Sequence, residues 1–376
     1  MAAETQSTTR RRLRRIAAGS ALVGAMAAGT GALAQDWQKT WNDTVAAARK
    51  EGVVACGCPV HPGSRKFLQS QWGRDFPDIK LEYTGAALPE WPARVEAERA
   101  AGQFRWDAFF TGPAAETYRL AANRVFDKLL PHLILPDVKD PKTWGGWDSA
   151  FYDADKERML AMWRDISPPY YNARLVPPEK VAKLGLKVLL EPEFKGKIIM
   201  WDPRVGGSGE LQSTFFHMSL GADAHRRLLV DQQPVFLRDS RAMAERMVRG
   251  TAAFSLGPAL EEPLEEFRKA GLPMDIRPLG NTKDVAYASA AYGIAAVIER
   301  PAHPAAARVF INWLLSKPVQ EGLGKAAIRQ SRRKDIALID SPSSAKPDEP
   351  YVELQREAYD EQRQKLMALS RKLRPD

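Results

Sequence analysis

The sequence predicts an α/β protein built as two lobes that face one another across a cleft. Three observations carry that expectation. Short apolar runs of strand length alternate with stretches of helical period, the alternation occurs in two separate sets, and Pro-rich stretches of low periodicity join the sets. A chain of 376 residues, 44% hydrophobic and 27% charged, is large enough for two domains with real cores and is unlike a disordered composition. Once the first 34 residues are set aside, no apolar run is long enough to span a bilayer.

The first set begins at Asp36. Trp41, Val45 and Ala48 form one apolar stripe on a helix that ends at Lys50-Glu51-Gly52. Val53-Val54-Ala55 follows as a short buried strand, and Ser64 is placed to cap a helix carrying Phe67, Leu68 and Trp72. Lys80–Tyr83 reads as a second strand, Trp91 and Val95 as part of the next helix, and Asp107–Thr111 as a third strand before a helix through Tyr118 and Leu120. The stretch from Leu130 to Trp147 and the segment Ser167-Pro168-Pro169 read as connections between bodies. The second set comprises strand Ile198–Met200, a helix opened by Ser208 through Phe215 and Leu220, and a helix opened by Ser240. It continues with strand Ala252–Leu256 and helix Glu261–Ala270, and Tyr287–Gly293 then precedes an apolar strand, Ile294–Ile298. Strands alternating with helices predict parallel β–α units. Past Ser341, Pro and charge dominate until a polar helix over Tyr351–Leu373, expected on the surface. The expected division is 35–166 with about 280–340 as the first lobe, 167–279 as the second and 341–376 as the tail.

The N-terminus reads as an address. Arg10-Arg11-Arg12-Leu13-Arg14-Arg15 precedes a weakly apolar, Ala/Gly-rich stretch from Ile16 to about Leu33, and Ala32-Leu33-Ala34 supplies small residues at a cleavage point. Paired arginines with low hydrophobicity favour the Tat export route, and the expected location is the periplasm. The formal net charge of +9 includes five of these arginines and Glu4, so the mature chain carries an excess of about five. Its basic residues are scattered rather than interleaved with aromatics, which disfavours nucleic acid and fits a small anionic ligand.

Several segments resemble a known family. Ala48-Arg49-Lys50-Glu51-Gly52-Val53-Val54, the run Leu190–Ile198 with Asp202-Pro203-Arg204 and Gly206-Gly207-Ser208-Gly209, and His303–Ser316 followed by Arg332–Asp335 are similar, in order and spacing, to ferric-iron-type extracellular solute-binding proteins. The resemblance implies a two-lobed type II periplasmic-binding fold with the ligand held at the hinge. It also implies a monomeric receptor that hands a small molecule to a membrane ABC permease. The Gly-rich segment has a physical reading of its own. A strand, a glycine turn and a helix beginning at Ser208 aim backbone N–H groups of Gly207, Ser208 and Gly209 into the cleft, a setting for an anion that Arg204 would complete. The alternative is a tight strand-to-helix turn with Arg204 on the surface.

Iron-binding members carry paired tyrosines after the strand corresponding to Ala252–Leu256, and here that strand runs into Gly257-Pro258-Ala259. Thr111-Gly112-Pro113 stands where their Glu is expected, and only His61 stands near their His. Without phenolate oxygens a hard trivalent cation is poorly served. Tyr170-Tyr171 are strand neighbours, so at most one faces the cleft. Cys56, Cys58 and His61 form a C-x-C-x-x-H cluster, read as a disulfide or as packing, with soft-metal binding or ligand contact by Cys58 as further options. Tyr287 is a candidate to stack on the ligand or hydrogen-bond to it. Trp106, Trp163 and Trp201 are candidates for an aromatic wall, and Arg164-Asp165 for a hinge ion pair. The ligand-binding set is thus Cys58, His61, Thr111, Arg204, Gly207, Ser208, Gly209 and Tyr287, with no metal and no cofactor. No nucleophile elbow, P-loop or H-E-x-x-H motif is present, so the expectation is a binding protein rather than an enzyme, the alternatives being a ferric-iron receptor or a secreted enzyme on the same scaffold.

Overall fold

The structure, a computed structural model, describes residues 36–375 apart from 89, 342, 343, 347 and 348. The expected export signal lies outside the described residues. Among them no helix is long and apolar enough to cross a membrane.

Twelve strands are present among the described residues. The first six are β1 (Val53–Cys58), β2 (Lys80–Gly85), β3 (Ala108–Thr111), β4 (Leu160–Ala161), β5 (Asp165–Ser167) and β6 (Tyr170–Asn172). The rest are β7 (Ile198–Trp201), β8 (Val235–Leu237), β9 (Phe254–Leu256), β10 (Ile276–Pro278), β11 (Tyr287–Ser289) and β12 (Ile294–Val297). They form two five-stranded sheets, in the orders β2-β1-β3-β12-β4 and β10-β6-β9-β7-β8, and a two-stranded ribbon, β11-β5. The fold is therefore α/β and two-lobed, with one sheet at the heart of each lobe.

The sequence alternation predicts parallel units, and the centre of each sheet has them: β1 runs parallel to β2 and β3, and β7 to β8 and β9. Each sheet also takes antiparallel strands, β12 beside β3 and β4, and β6 beside β9 and β10. The cause is the chain path. The chain leaves the first sheet after β4, passes through β5 to the second, and returns through β11 to add β12, so the crossing strands enter from the hinge side. The two crossings pair with each other, Tyr287 opposite Ser167 and Ser289 opposite Asp165, and make the hinge itself.

Buried apolar faces hold each lobe. In the first, the helix Pro304–Leu315 is buried from Val309 to Leu315 and packs on the sheet with Trp72 and Trp144. In the second, Phe215, Phe216, Phe254 and Leu256 join the helix Ser208–Arg226 to its sheet. Period-2 alternation on β1 sends Val54, Cys56 and Cys58 into one core, and Gly57 lets Trp91 press on the other face, where a Cβ would lie 2.4 Å from the indole.

Three local expectations differ from the structure. The helix Pro62–Asp75 is capped by His61, whose Nδ1 accepts from Ser64 N at 3.1 Å, while Ser64 lies inside the helix. Proline at N1 suits the first turn because it has no N–H to satisfy, and that places the cap one residue earlier, at His61. The stretch from Leu130 to Trp147 is not featureless but winds through short helical turns at Leu130–His132, Pro136–Lys139 and Pro141–Trp144. The tail helix spans Asp360–Leu373 and is not simply a surface element. Arg363, Leu366 and Ser370 are buried, because the helix packs on Ser208–Arg226.

Candidate functional site

The cleft runs along the strand ends where the two lobes meet the hinge ribbon, the position at which open α/β sheets place their crevice. A cavity of about 280 Å³ opens there. The second lobe contributes Gly207, Ser208 and Leu211 from the turn after β7, and Pro258 and Ala259 from the turn after β9. The hinge contributes Ser167, Tyr287 and Ser289, and the first lobe Tyr292 and Arg329. Gln355, from the C-terminal segment, completes the lining. A larger space of about 770 Å³ adjoins it between the turn Gly112–Ala115 and the helix Asp360–Leu373.

Arg329 is the charged side chain on the smaller cavity. It follows the helix Lys317–Ala327, and its guanidinium lies 5.4 Å from the Tyr292 ring centre and 3.4 Å from Asp165 Oδ2, with its side chain a quarter exposed. Its buried Nε has no hydrogen-bond partner in the protein. Asp165, on β5, is fully buried, and its other oxygen accepts from Gln330 N at 2.8 Å. Burial pushes the Asp165 carboxyl up to about 6, against the opposing pull of Arg329 and of the Gln330 amide. The ring of His61 stacks on Tyr292 with centroids 5.4 Å apart, and burial, reinforced by Arg329, lowers the imidazole below its ordinary value. Beyond Asp165, Tyr170 donates to Glu261 at 2.5 Å from the start of the helix Glu261–Lys269.

The residues expected at the site divide sharply. Gly207, Ser208 and Tyr287 line the cavity, and His61 sits behind Tyr292. Gly207 has φ +123°, a backbone that strongly favours glycine, and its N–H is taken by Glu210 Oε2 at 3.2 Å. The helix start is thus partly satisfied from within, so fewer amides are aimed at a ligand than the glycine pattern suggests. Gly209 is a close-approach residue instead of a contact: a Cβ there would sit 2.1 Å from Trp201 O.

Arg204 is turned away from the cleft. Its Nε bonds Asp202 Oδ1 at 2.9 Å, it reaches Arg374 O at 3.2 Å, and it stacks on Phe236. The buried Asp202 carboxylate draws both Arg204 and Arg238. Burial alone would raise that carboxyl, but the hydrogen bonds from Arg204 and Arg238 together outweigh it and hold it at about 2. Thr111 is buried at the end of β3, opposite Ile294, and only the turn after it, from Gly112, reaches the larger space. Cys58 is bonded to Cys56 in a disulfide whose two residues are fully buried, so no thiol faces the cleft. Residues two apart on a strand point the same way, which brings the two sulfurs together.

The other candidates also resolve. Tyr170 and Tyr171 point into opposite cores. Trp106 and Trp163 are core residues, and only Trp201 is partly exposed. Arg164 and Asp165 do not pair with each other: Arg164 bonds Glu353 at 3.0 Å and Asp165 faces Arg329. Glu261, at the start of its helix, accepts from Tyr170. Among the described residues no group of three or more His, Cys, Asp or Glu side chains could hold a metal ion.

Sequence reasoning missed Arg329, Tyr292 and Gln355. Arg329 and Gln355 lie in irregular segments with no motif around them. Tyr292 had a weak signal, Tyr287–Gly293 before an apolar strand, in which the first tyrosine was singled out and the second was not.

This arrangement is the fold of the periplasmic binding proteins. Iron-bound HitA from Pseudomonas aeruginosa superimposes with a TM-score of 0.62 at 14% identity, over 86% of this chain and 99% of that one. A ferric binding protein from Campylobacter jejuni gives 0.62 at 13%, over 84% and 99%. The periplasmic binding protein AfuA from Actinobacillus pleuropneumoniae, with fructose-6-phosphate bound, gives 0.56 at 18%, over 85% and 98%. No family model and no curated protein matches the sequence.

Proposed function

We propose that this chain is the exported, periplasmic substrate-binding component of an ABC importer, which closes its two lobes on one small anionic or zwitterionic solute and presents it to a membrane permease. The observation that carries the reading is the lining of the 280 Å³ cavity, where Arg329 and Tyr292 from one lobe face Gly207 and Ser208 from the other across the hinge residues Ser167 and Ser289. A ligand touching both walls binds the closed form better than the open one, so binding shifts the population toward closure. One guanidinium among hydroxyls suits one anionic group. The structural neighbours are binding proteins, among them HitA with iron bound and AfuA with fructose-6-phosphate bound. The sugar phosphate is the nearer analogue, because β9 here runs into Gly257-Pro258 and the cavity lining joins serine and tyrosine hydroxyls to one cation and includes no carboxylate. In this reading the protein is a monomer without catalytic activity or affinity for nucleic acid, leaves the cytoplasm by the Tat route, and uses the boundaries 35–166 with about 280–340, and 167–279, for its lobes.

The test is mass spectrometry of what co-purifies with the mature protein, gently isolated and then denatured. A stoichiometric small anion or zwitterion is expected, and Arg329→Ala should weaken its retention roughly 10- to 100-fold, the worth of one charge-assisted contact. Stoichiometric iron with a visible charge-transfer band, or turnover of the bound molecule, would overturn the reading.

A further inference from the structure

The C-terminal segment takes an unusual path. From Tyr351 to Gln355 it lies along the hinge and the first lobe, and from Asp360 it becomes the helix on the second lobe. Ala288 N donates to Val352 O at 2.9 Å, and Glu353 bridges to β11, so the segment adds to the hinge ribbon. Glu353 is held by Arg164 at 3.0 Å, Arg332 at 2.8 Å and Arg356 at 2.8 Å. Tyr118 donates to the Gln355 carbonyl, and Arg363 pairs with Glu210 at 3.2 Å on the other lobe. Gln355 is thereby fixed where hinge and cleft meet, and it lines both cleft cavities.

Its side-chain amide is half satisfied. Gln355 is 9% exposed, its Nε2 donates to Ala291 O at 3.3 Å, and its buried Oε1 has no hydrogen-bond partner in the protein. The bond to Ala291 O sets the amide orientation, since only the NH2 end can donate to a carbonyl. A buried acceptor without a partner is costly, and one held in place at a binding cavity is preorganised to receive a donor.

We infer that Gln355, delivered by the C-terminal segment, is a specificity-determining ligand contact whose Oε1 accepts a hydrogen bond from a hydroxyl or ammonium group on the solute. Arg329 supplies a donor for the anionic end of that solute and Gln355 an acceptor for its neutral or cationic end. Both line the same 280 Å³ cavity, so the ligand class is a small oxyanion that also carries a donor: a hydroxylated phosphate or a hydroxylated or amino carboxylate. This inference rests on the receptor reading above and extends it, because the anion alone does not require Gln355.

The experiment is isothermal titration calorimetry of the mature chain with two matched pairs: glycerol 3-phosphate against propyl phosphate, and glycerate against propionate. Within each pair the anionic group and carbon count are the same and only the hydroxyl donors differ. The wild type should prefer the hydroxylated member of the phosphate or the carboxylate pair roughly five- to tenfold, the worth of one neutral hydrogen bond. Which pair responds distinguishes the two sources of oxyanion. Gln355→Met, which keeps the side-chain length and removes the amide, should abolish the preference, so that the two members of the responding pair bind with equal affinity. Equal binding within both pairs by the wild type overturns the inference without any variant, and so does a preference that survives Gln355→Met. Binding of none of the four probes overturns the anion-receptor reading, and this inference with it.

Discussion

Asp165 connects the hinge to the cleft, and replacing it with asparagine tests the electrostatics of both. Its carboxyl is raised from 3.8 to about 6 in the folded protein. Because the folded value lies above the unfolded one, between those two pH values the folded state keeps a proton that the unfolded state has released. The contribution of Asp165 to stability therefore falls as pH rises through this window and levels off above it. A shift of that size is worth roughly 3 kcal/mol, at about 1.4 kcal/mol per pH unit. Asp165→Asn keeps an acceptor for Gln330 N and removes the titration. Urea unfolding at pH 4, 5, 6 and 8 should then show a change in stability between pH 4 and 8 that differs from wild type by roughly 3 kcal/mol, in the direction of the variant losing less toward high pH. Arg329→Met should move the profile the other way, because removing the cation 3.4 Å away destabilises the ionised carboxylate further. Identical pH profiles for wild type and Asp165→Asn would refute the reasoning, since they would mean that the buried carboxylate is solvated well enough to titrate normally.

Two further outcomes follow from the turn after β7 and from β1. Gly209→Ala would drive a Cβ to 2.1 Å from Trp201 O and 2.7 Å from Asp202 O, both backbone atoms, and should cost roughly 1–3 kcal/mol and lower the melting temperature by several degrees. Gly206→Ala, with nothing within 4 Å, should melt with the wild type, and equal melting of both variants would remove the close-approach argument. With Cys56 and Cys58 joined, the mature protein should release no reactive thiol when denatured without reductant and two when denatured with it. Thiol titration checks this, and free thiols in the untreated protein would reopen Cys58 as a cleft group.

The sequence by itself determined the α/β class, the two sets of elements and the positions of β1, β2, β3, β7, β9 and β12 with the main helices, because each follows from periodicities of 2 and 3.6 that a stretch carries internally, whereas β4, β5, β6, β8, β10 and β11 are two or three residues long, too short to carry a period of their own. It also placed Gly207, Ser208 and Tyr287 on segments that do reach the cleft. Direction was not legible in it. Arg204 stands two residues from Asp202 and beside the glycine turn, and nothing local says that the buried Asp202 carboxylate will draw it away from the cavity. Arg329, Tyr292 and Gln355 come from three distant stretches, and their meeting is set by β12 entering the first sheet antiparallel and by the C-terminal segment joining the hinge ribbon. Glu210 is likewise an ordinary helix residue in sequence. Only packing against Arg363, over a hundred residues away, buries it and lets it take the Gly207 amide that the glycine pattern had offered to a ligand. Local periodicity determines what each segment is, whereas burial and charge partners assembled across the chain decide which way a side chain faces, and the lining of the cleft is made of the second kind of information.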